Sequence, residues 1–122
     1  MTLARVGVGI DIEERHRFEG LFEGDHPFLR RFYTDEEIRI ASSIGDRAAW
    51  LSGRYCAKEA ISKAIMELGD KSPDFRDIEI RSREDGCPLA CVIGSEREYM
   101  INISISHSDE NVVAISMVRK ID

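Results

Sequence analysis

Val6, Val8, Ile10 and Ile12 alternate with Gly7, Gly9, Asp11 and Glu13. A period of two predicts a β-strand with one apolar face. The other face carries two glycines and then Asp11, and missing side chains let something bulky approach the backbone beside that carboxylate. A helical segment is predicted from about Glu13 to Glu23, with Phe18, Leu21 and Phe22 on one face and Arg15 and His16 elsewhere. Thr34-Asp35-Glu36-Glu37 fits a capping box, with Thr34 as N-cap and Glu37 at the third helical position, so a short helix is predicted to about Ala41. The longest helix is predicted from about Ala48 to Leu68. Its apolar positions are Trp50, Ala57, Ala60, Ile61, Ala64, Ile65 and Leu68, and from Ala57 onward they form a helical stripe. Glu59 and Lys63 are four apart and share a face well away from that stripe. Arg54 and Lys58, also four apart, lie nearer its edge.

The second half reads as strands. Asp77 to Arg81 alternates, Glu84-Asp85-Gly86 signals a turn, and Leu89 to Ile93 makes the next strand. Ile101, Ile103 and Ile105 alternate with Asn102, Ser104 and Ser106, and His107 follows. After the polar turn Ser108-Asp109-Glu110-Asn111, Val112 to Val118 closes the chain. This partial segregation predicts an α+β fold, an antiparallel sheet with one long central helix and shorter helices, in a single domain over residues 1–122.

Composition narrows the function classes. A net charge of −6 argues against a general nucleic-acid binder, though it allows local basic patches. Cys56, Cys87 and Cys91 form no C-x-x-C pair and no even set, so free thiols in a reducing cytoplasm are expected. No apolar run reaches the roughly 20 residues of a membrane span. The start Met1 to Arg5 is charged too early for a secretory signal, and a cytoplasmic protein is expected.

Gly7-Val8-Gly9-Ile10-Asp11-Ile12 is not a dinucleotide fingerprint, because Ile12 holds the third glycine position. Taken singly, the remaining candidates are ordinary. A strand-ending Asp such as Asp11 is more often a helix cap, a Glu59–Lys63 pair is common on exposed helices, and His107 is an unremarkable strand-end histidine. Together they suggest more. One Asp and one Glu supply two hard oxygen ligands and leave positions for water and phosphate, as Mg2+ prefers. Lys63 can then neutralise phosphate charge, and Arg54, Lys58 and His107 can hold a further phosphate.

These residues resemble a known family. Gly9-Ile10-Asp11 and Arg54-Tyr55-Cys56-Ala57-Lys58-Glu59-Ala60-Ile61-Ser62-Lys63-Ala64 resemble the two signatures of the holo-acyl-carrier-protein synthases, the short stand-alone 4′-phosphopantetheinyl transferases. Arg31, Thr34 and Glu37 match the family's R-x-x-T-x-x-E segment, Gly86-Cys87-Pro88 its G-x-P turn, and Ser104-Ile105-Ser106-His107 its closing motif. The match runs from about Val6 to Val118.

The resemblance implies transfer of the phosphopantetheine arm of coenzyme A to a serine of an apo acyl carrier protein, with Mg2+ and release of adenosine 3′,5′-bisphosphate. It implies a homotrimer with active sites between subunits. Asp11 and Glu59 match metal ligands, Lys63 the pyrophosphate lysine, and Arg54 and His107 the nucleotide side near the 3′-phosphate. Lys58 matches the motif among the coenzyme-binding cations. Glu59 is the candidate base, with Asp11 second. Arg17 and Arg15 match carrier-docking positions, and Arg30 and Arg31 add local cations to that face. The family commonly carries a glycine two or three residues after the second lysine, whereas Ala64 to Leu68 continues the helix here and the next glycine is Gly69. A non-catalytic coenzyme A-binding module of the same fold is the alternative reading.

Overall fold

The glycine face of the first strand sets the layering. In the computed structural model, which describes residues 5–21, 27–95 and 98–121, β1 (Gly7–Glu14) lies along the longest helix, α3 (Arg47–Glu67). A Cβ on Gly7 would stand 2.0 Å from the Ala64 carbonyl oxygen, and one on Gly9 1.8 Å from that of Ala60. Both contacts are with backbone, so only glycine lets strand and helix meet this closely. The bulky group that the glycines admit is therefore the protein's own helix. Ala57, Ala60 and Ala64 complete the contact from the helix side and are fully buried.

β1 continues through Glu14, and a short 3-10 turn over Arg15–Phe18 replaces the start of the predicted helix. Strand pairing overrides the local helical pattern there, because Glu13 and Glu14 are still in register with Val112 and Asn111. Phe18 and Leu21 are buried as their spacing implied; Phe22 and Glu23 lie outside the described residues. A short helix that periodicity did not reveal, α1 (Pro27–Phe32), follows with proline at its first position. Next comes α2 (Asp35–Ala41), started by the expected capping box: Glu37 N donates to Thr34 Oγ1 at 3.1 Å, and Thr34 N donates to Glu37 Oε1 at 2.9 Å.

The strands sort into two antiparallel ladders rather than one. β1, β5 (Asn111–Ile121) and β4 (Glu98–His107) form a sheet in the order β1-β5-β4, while β2 (Ile78–Ser82) pairs with β3 (Pro88–Val92). The main core lies between α3 and these strands, where Val112, Ala114 and Val118 of β5 and Ile78 and Ile80 of β2 meet the alanine and isoleucine stripe of α3. A second cluster around Phe18, Leu29, Tyr33 and Leu51 packs the short helices onto the first half of α3.

The apolar face of β1 points the other way. Val8, Ile10 and Ile12 are 44%, 59% and 63% exposed, and Met117 and Ile115 stand opposite the first two on β5 and are exposed as well. No described helix is long and apolar enough to cross a membrane.

Gly9→Ala is expected to cost about 3 kcal/mol or more in urea unfolding, because neither backbone can yield to the added methyl. Gly45→Ala, whose methyl would meet nothing within 4 Å, is expected to stay within about 0.5 kcal/mol. Equal, small effects would show that the strand–helix contact does not constrain the fold.

Candidate active site

The strand–helix contact places Asp11 beside the third turn of α3. Gly9 abuts Ala60, and two residues further along β1 the Cys56 thiol donates to the Asp11 carbonyl oxygen at 3.2 Å. Lys63, one helical turn beyond Glu59, reaches back across the contact. Its Nζ donates to Ile10 O at 3.0 Å and stands 3.4 Å from Asp11 Oδ1. Asp11 Oδ2 is buried and has no hydrogen-bond partner. The contact thus brings the strand carboxylate and Lys63 to one place, one helical turn from Glu59.

A further carboxylate joins them. Period-two geometry turns Glu13 to the same side of β1 as Asp11. Burial first, then hydrogen bonding and repulsion from Asp11, raise the Glu13 pKa to about 7, with Glu59 adding to the effect and Arg17 opposing it. The sequence reading passed over Glu13, although its spacing from Asp11 was the available signal. Around this cluster, burial and the neighbouring Glu59 carboxylate, to which its hydroxyl bonds, push the Tyr55 phenol up to about 12. Burial, with Asp11 nearby, does the same to the Cys56 thiol, also to about 12.

Arg54 and His107 form a separate group. The His107 imidazole lies against Gly53, where a Cβ would stand 3.3 Å from Cε1, so the glycine makes room for the ring. Arg54, the next residue, donates from Nη2 to Ser82 Oγ at 2.9 Å, and burial draws its pKa below the usual arginine value. Arg54 and Lys63 stand nine residues apart on α3, about 180° around the helix at about 100° per residue. His107 ends β4, on the opposite side of β5 from Asp11.

Lys58 is not part of either group. It is fully buried, and its Nζ donates to Glu37 Oε1 at 2.5 Å, Phe32 O at 2.8 Å and Phe75 O at 2.9 Å. All three ammonium donors are thereby taken. The expected coenzyme-binding cation is a structural one, and its motif neighbour Glu37 accepts from Ile80 N at 2.8 Å as well. Of the arginines expected to meet a carrier, Arg17 Nη1 donates to Glu13 Oε1 at 2.7 Å, Arg15 pairs with Asp46, and Arg30 and Arg31 stand exposed on α1.

Comparison with known proteins identifies the family. The family model of the 4′-phosphopantetheinyl transferase superfamily matches residues 7–116. The chain belongs to that superfamily. It is 39% identical over 111 residues to the holo-[acyl-carrier-protein] synthase of Bacillus cereus, covering 89% of this chain and 91% of that protein. A holo-(acyl-carrier-protein) synthase from Bacillus anthracis, solved in complex with CoA (3′,5′-ADP), superposes with a TM-score of 0.76 at 32% identity, over 93% of this chain and 95% of that one. An apo synthase structure from Chronobacterium ammoniagenes shares the fold, with a TM-score of 0.81 at 22% identity over 98% of this chain and 100% of that one. These relatives place the chain among the holo-acyl-carrier-protein synthases, and it is an enzyme of that group.

For a phosphopantetheinyl transferase, the carboxylate cluster fits a divalent cation. Among the described residues no group of three or more His, Cys, Asp or Glu is placed to hold a metal ion. Mg2+ asks for less, one or two carboxylates with water and phosphate oxygens completing the shell. Asp11 Oδ2 is left without a partner beside Lys63, and burial first, then Asp11, raises Glu13, so a further cation would be accommodated there. The family's glycine after Lys63 is absent in structure as in sequence: α3 runs on to Glu67, and Gly69, with φ +89°, turns the chain beyond its end.

The crowding makes a pH-dependent prediction. The folded protein holds a proton on Glu13 up to about pH 7, whereas the carboxyl's ordinary value is 4.5. Without metal, stability should therefore fall as pH rises through that window, since the unfolded chain binds fewer protons there. Mg2+ is expected to raise the melting temperature more at about pH 8 than at about pH 5.5, and Glu13→Gln should flatten the metal-free trend. A metal effect of the same size at both pH values would contradict the crowding.

Proposed function

We propose that the protein transfers the 4′-phosphopantetheine arm of coenzyme A to a serine of an apo acyl carrier protein. The observation that carries this reading is the meeting of Asp11 and Lys63 where β1 crosses α3, with an Asp11 oxygen left unpartnered and Glu59 close enough to act on Glu13. Its support from relatives is the likeness to synthases named for this reaction, one of them solved with CoA.

In this reading Asp11 and Glu59 hold Mg2+. When bound, the ion offsets the charge of the pyrophosphate and orients it. Lys63 adds a fixed cation beside the same oxygens, where charge grows as the bond to the leaving group breaks. Glu59 accepts the proton of the carrier serine hydroxyl as its oxygen bonds to the phosphorus on the pantetheine side. The bridging P–O bond breaks, and adenosine 3′,5′-bisphosphate leaves with the bridging oxygen. Arg54 and His107 receive the 3′-phosphate of the nucleotide. Arg17 and Arg15, with Arg30 and Arg31 nearby, meet the carrier's acidic surface.

The two groups of residues argue for more than one copy. Arg54 stands about half a turn around α3 from Lys63, and His107 ends the strand on the far side of β5 from Asp11, so a neighbouring copy is the natural source of the second group. A second copy seated on the exposed face of Val8, Ile10, Ile12, Ile115 and Met117 would cover that apolar surface. It would also bring its own Arg54 group toward this chain's carboxylates. The assembly proposed is the homotrimer, with each site shared between neighbours.

Incubation with coenzyme A, Mg2+ and an apo carrier protein, followed by intact-mass spectrometry, is expected to show the carrier gaining the arm. Glu59→Gln should lower kcat by about 100-fold or more, the usual contribution of a positioned base. Full turnover by Glu59→Gln would remove Glu59 as the base. Coenzyme binding without any transfer by the unaltered protein would favour a non-catalytic binding module instead.

A further inference from the structure

Trp50 is the only tryptophan in the chain, and it stands one turn before Arg54 on α3. The Arg54 Cζ lies 4.3 Å from the centroid of its indole, well inside the range over which a guanidinium is attracted to an aromatic face. Stacking occupies the flat face of the guanidinium and leaves its in-plane N–H groups free to donate. One of these donates to Ser82 Oγ at 2.9 Å, where β2 ends. Another, on Nε, is buried and has no partner. The cation is thus held by a ring on its face and a hydroxyl at one edge, with at least one donor unsatisfied. The His107 imidazole packs against the preceding residue, Gly53.

A free arginine side chain loses considerable rotamer entropy when a ligand fixes it. Here the stack restricts Arg54 before any ligand arrives. A phosphate oxygen is a strong acceptor whose geometry matches the edge donors of a guanidinium. We propose that Trp50 is a positioning residue that presents the Arg54 guanidinium to a ligand phosphate, and that it thereby sets the enzyme's preference for coenzyme A over the same coenzyme without its 3′-phosphate. This deepens the function proposed above and rests on the reading of Arg54 as the 3′-phosphate residue.

The test measures KM and kcat for coenzyme A and for 3′-dephospho-coenzyme A in transfer to an apo carrier, using the whole protein. Trp50→Leu should narrow the KM ratio between the two coenzymes by about threefold to tenfold, the size of one cation–π contact at a partly buried site. The change should fall on KM rather than kcat, as loss of a binding contact does. Trp50→Phe, which keeps an aromatic face, should restore most of the ratio. Arg54→Gln should abolish it. If Arg54→Gln abolishes the ratio while Trp50→Leu leaves it untouched, Trp50 only packs and the proposal fails alone. If Arg54→Gln also leaves it untouched, the assignment of Arg54 fails and takes the proposal with it. A second readout needs no variant: coenzyme A should shift the protein's tryptophan emission more than 3′-dephospho-coenzyme A does. Equal shifts, or none, would overturn the proposal.

Discussion

The carboxylate half of the candidate site depends on how closely β1 approaches α3. Two missing Cβ atoms, at Gly7 and Gly9, let a strand lie on the carbonyl oxygens of a helix. At ordinary strand–helix spacing Asp11 would stand too far out for Lys63 to reach both its carboxylate and the Ile10 carbonyl. The same approach fixes which face of the strand is inward. Small and charged residues turn toward the helix, and the larger apolar side chains are turned out. The strand therefore builds a polar site on one side and leaves an apolar surface on the other.

A buried ion pair holds the second half of the frame. Lys58 and Glu37 join α3 to the start of α2, the end of α1, the loop at Phe75 and the backbone of β2. Burial lowers the Lys58 pKa, and the Glu37 carboxylate acts in the opposite direction. Both side chains have no exposed surface, so removing either would strand the other's charge in the core. Replacing both with apolar groups need not be costly in stability, which suits a pair whose main effect is to fix geometry. It sets how the short helices and β2 sit against the stretch of α3 that carries Arg54. Thr34 extends the network by donating to Glu79 at 2.8 Å.

Local signals were readable where one interaction decides an element. The capping box at Thr34 and the apolar stripe of α3 depend on neighbours within a few residues, and both elements stand within a residue or so of their expected limits. Pairing with β5 decided the stretch after Glu13, and no local pattern encodes a partner about 100 residues away in sequence. The two-ladder arrangement escaped for the same reason. At the site, residue type and spacing left Asp11, Glu59 and Lys63 ordinary when taken singly, and the family resemblance singled them out; the close approach at the glycines is what lets Lys63 reach Asp11. Lys58 misled because a lysine in a charged motif looks alike whether its ammonium meets a ligand or a buried carboxylate. Only three-dimensional burial separates the cases. Glu13 was overlooked because its significance is electrostatic and arises from carboxylates that only the fold brings near.

The central claim is that each chain carries two halves of a site and needs a neighbour to complete it. Co-expression of Asp11→Asn with Arg54→Gln chains tests this directly, with native mass spectrometry confirming mixed oligomers. The account predicts that transfer activity in the mixed oligomers clearly exceeds that of either variant alone, because some interfaces pair an intact carboxylate half with an intact Arg54 half. Mixed oligomers no more active than the average of their parents would contradict it, placing both halves on one chain.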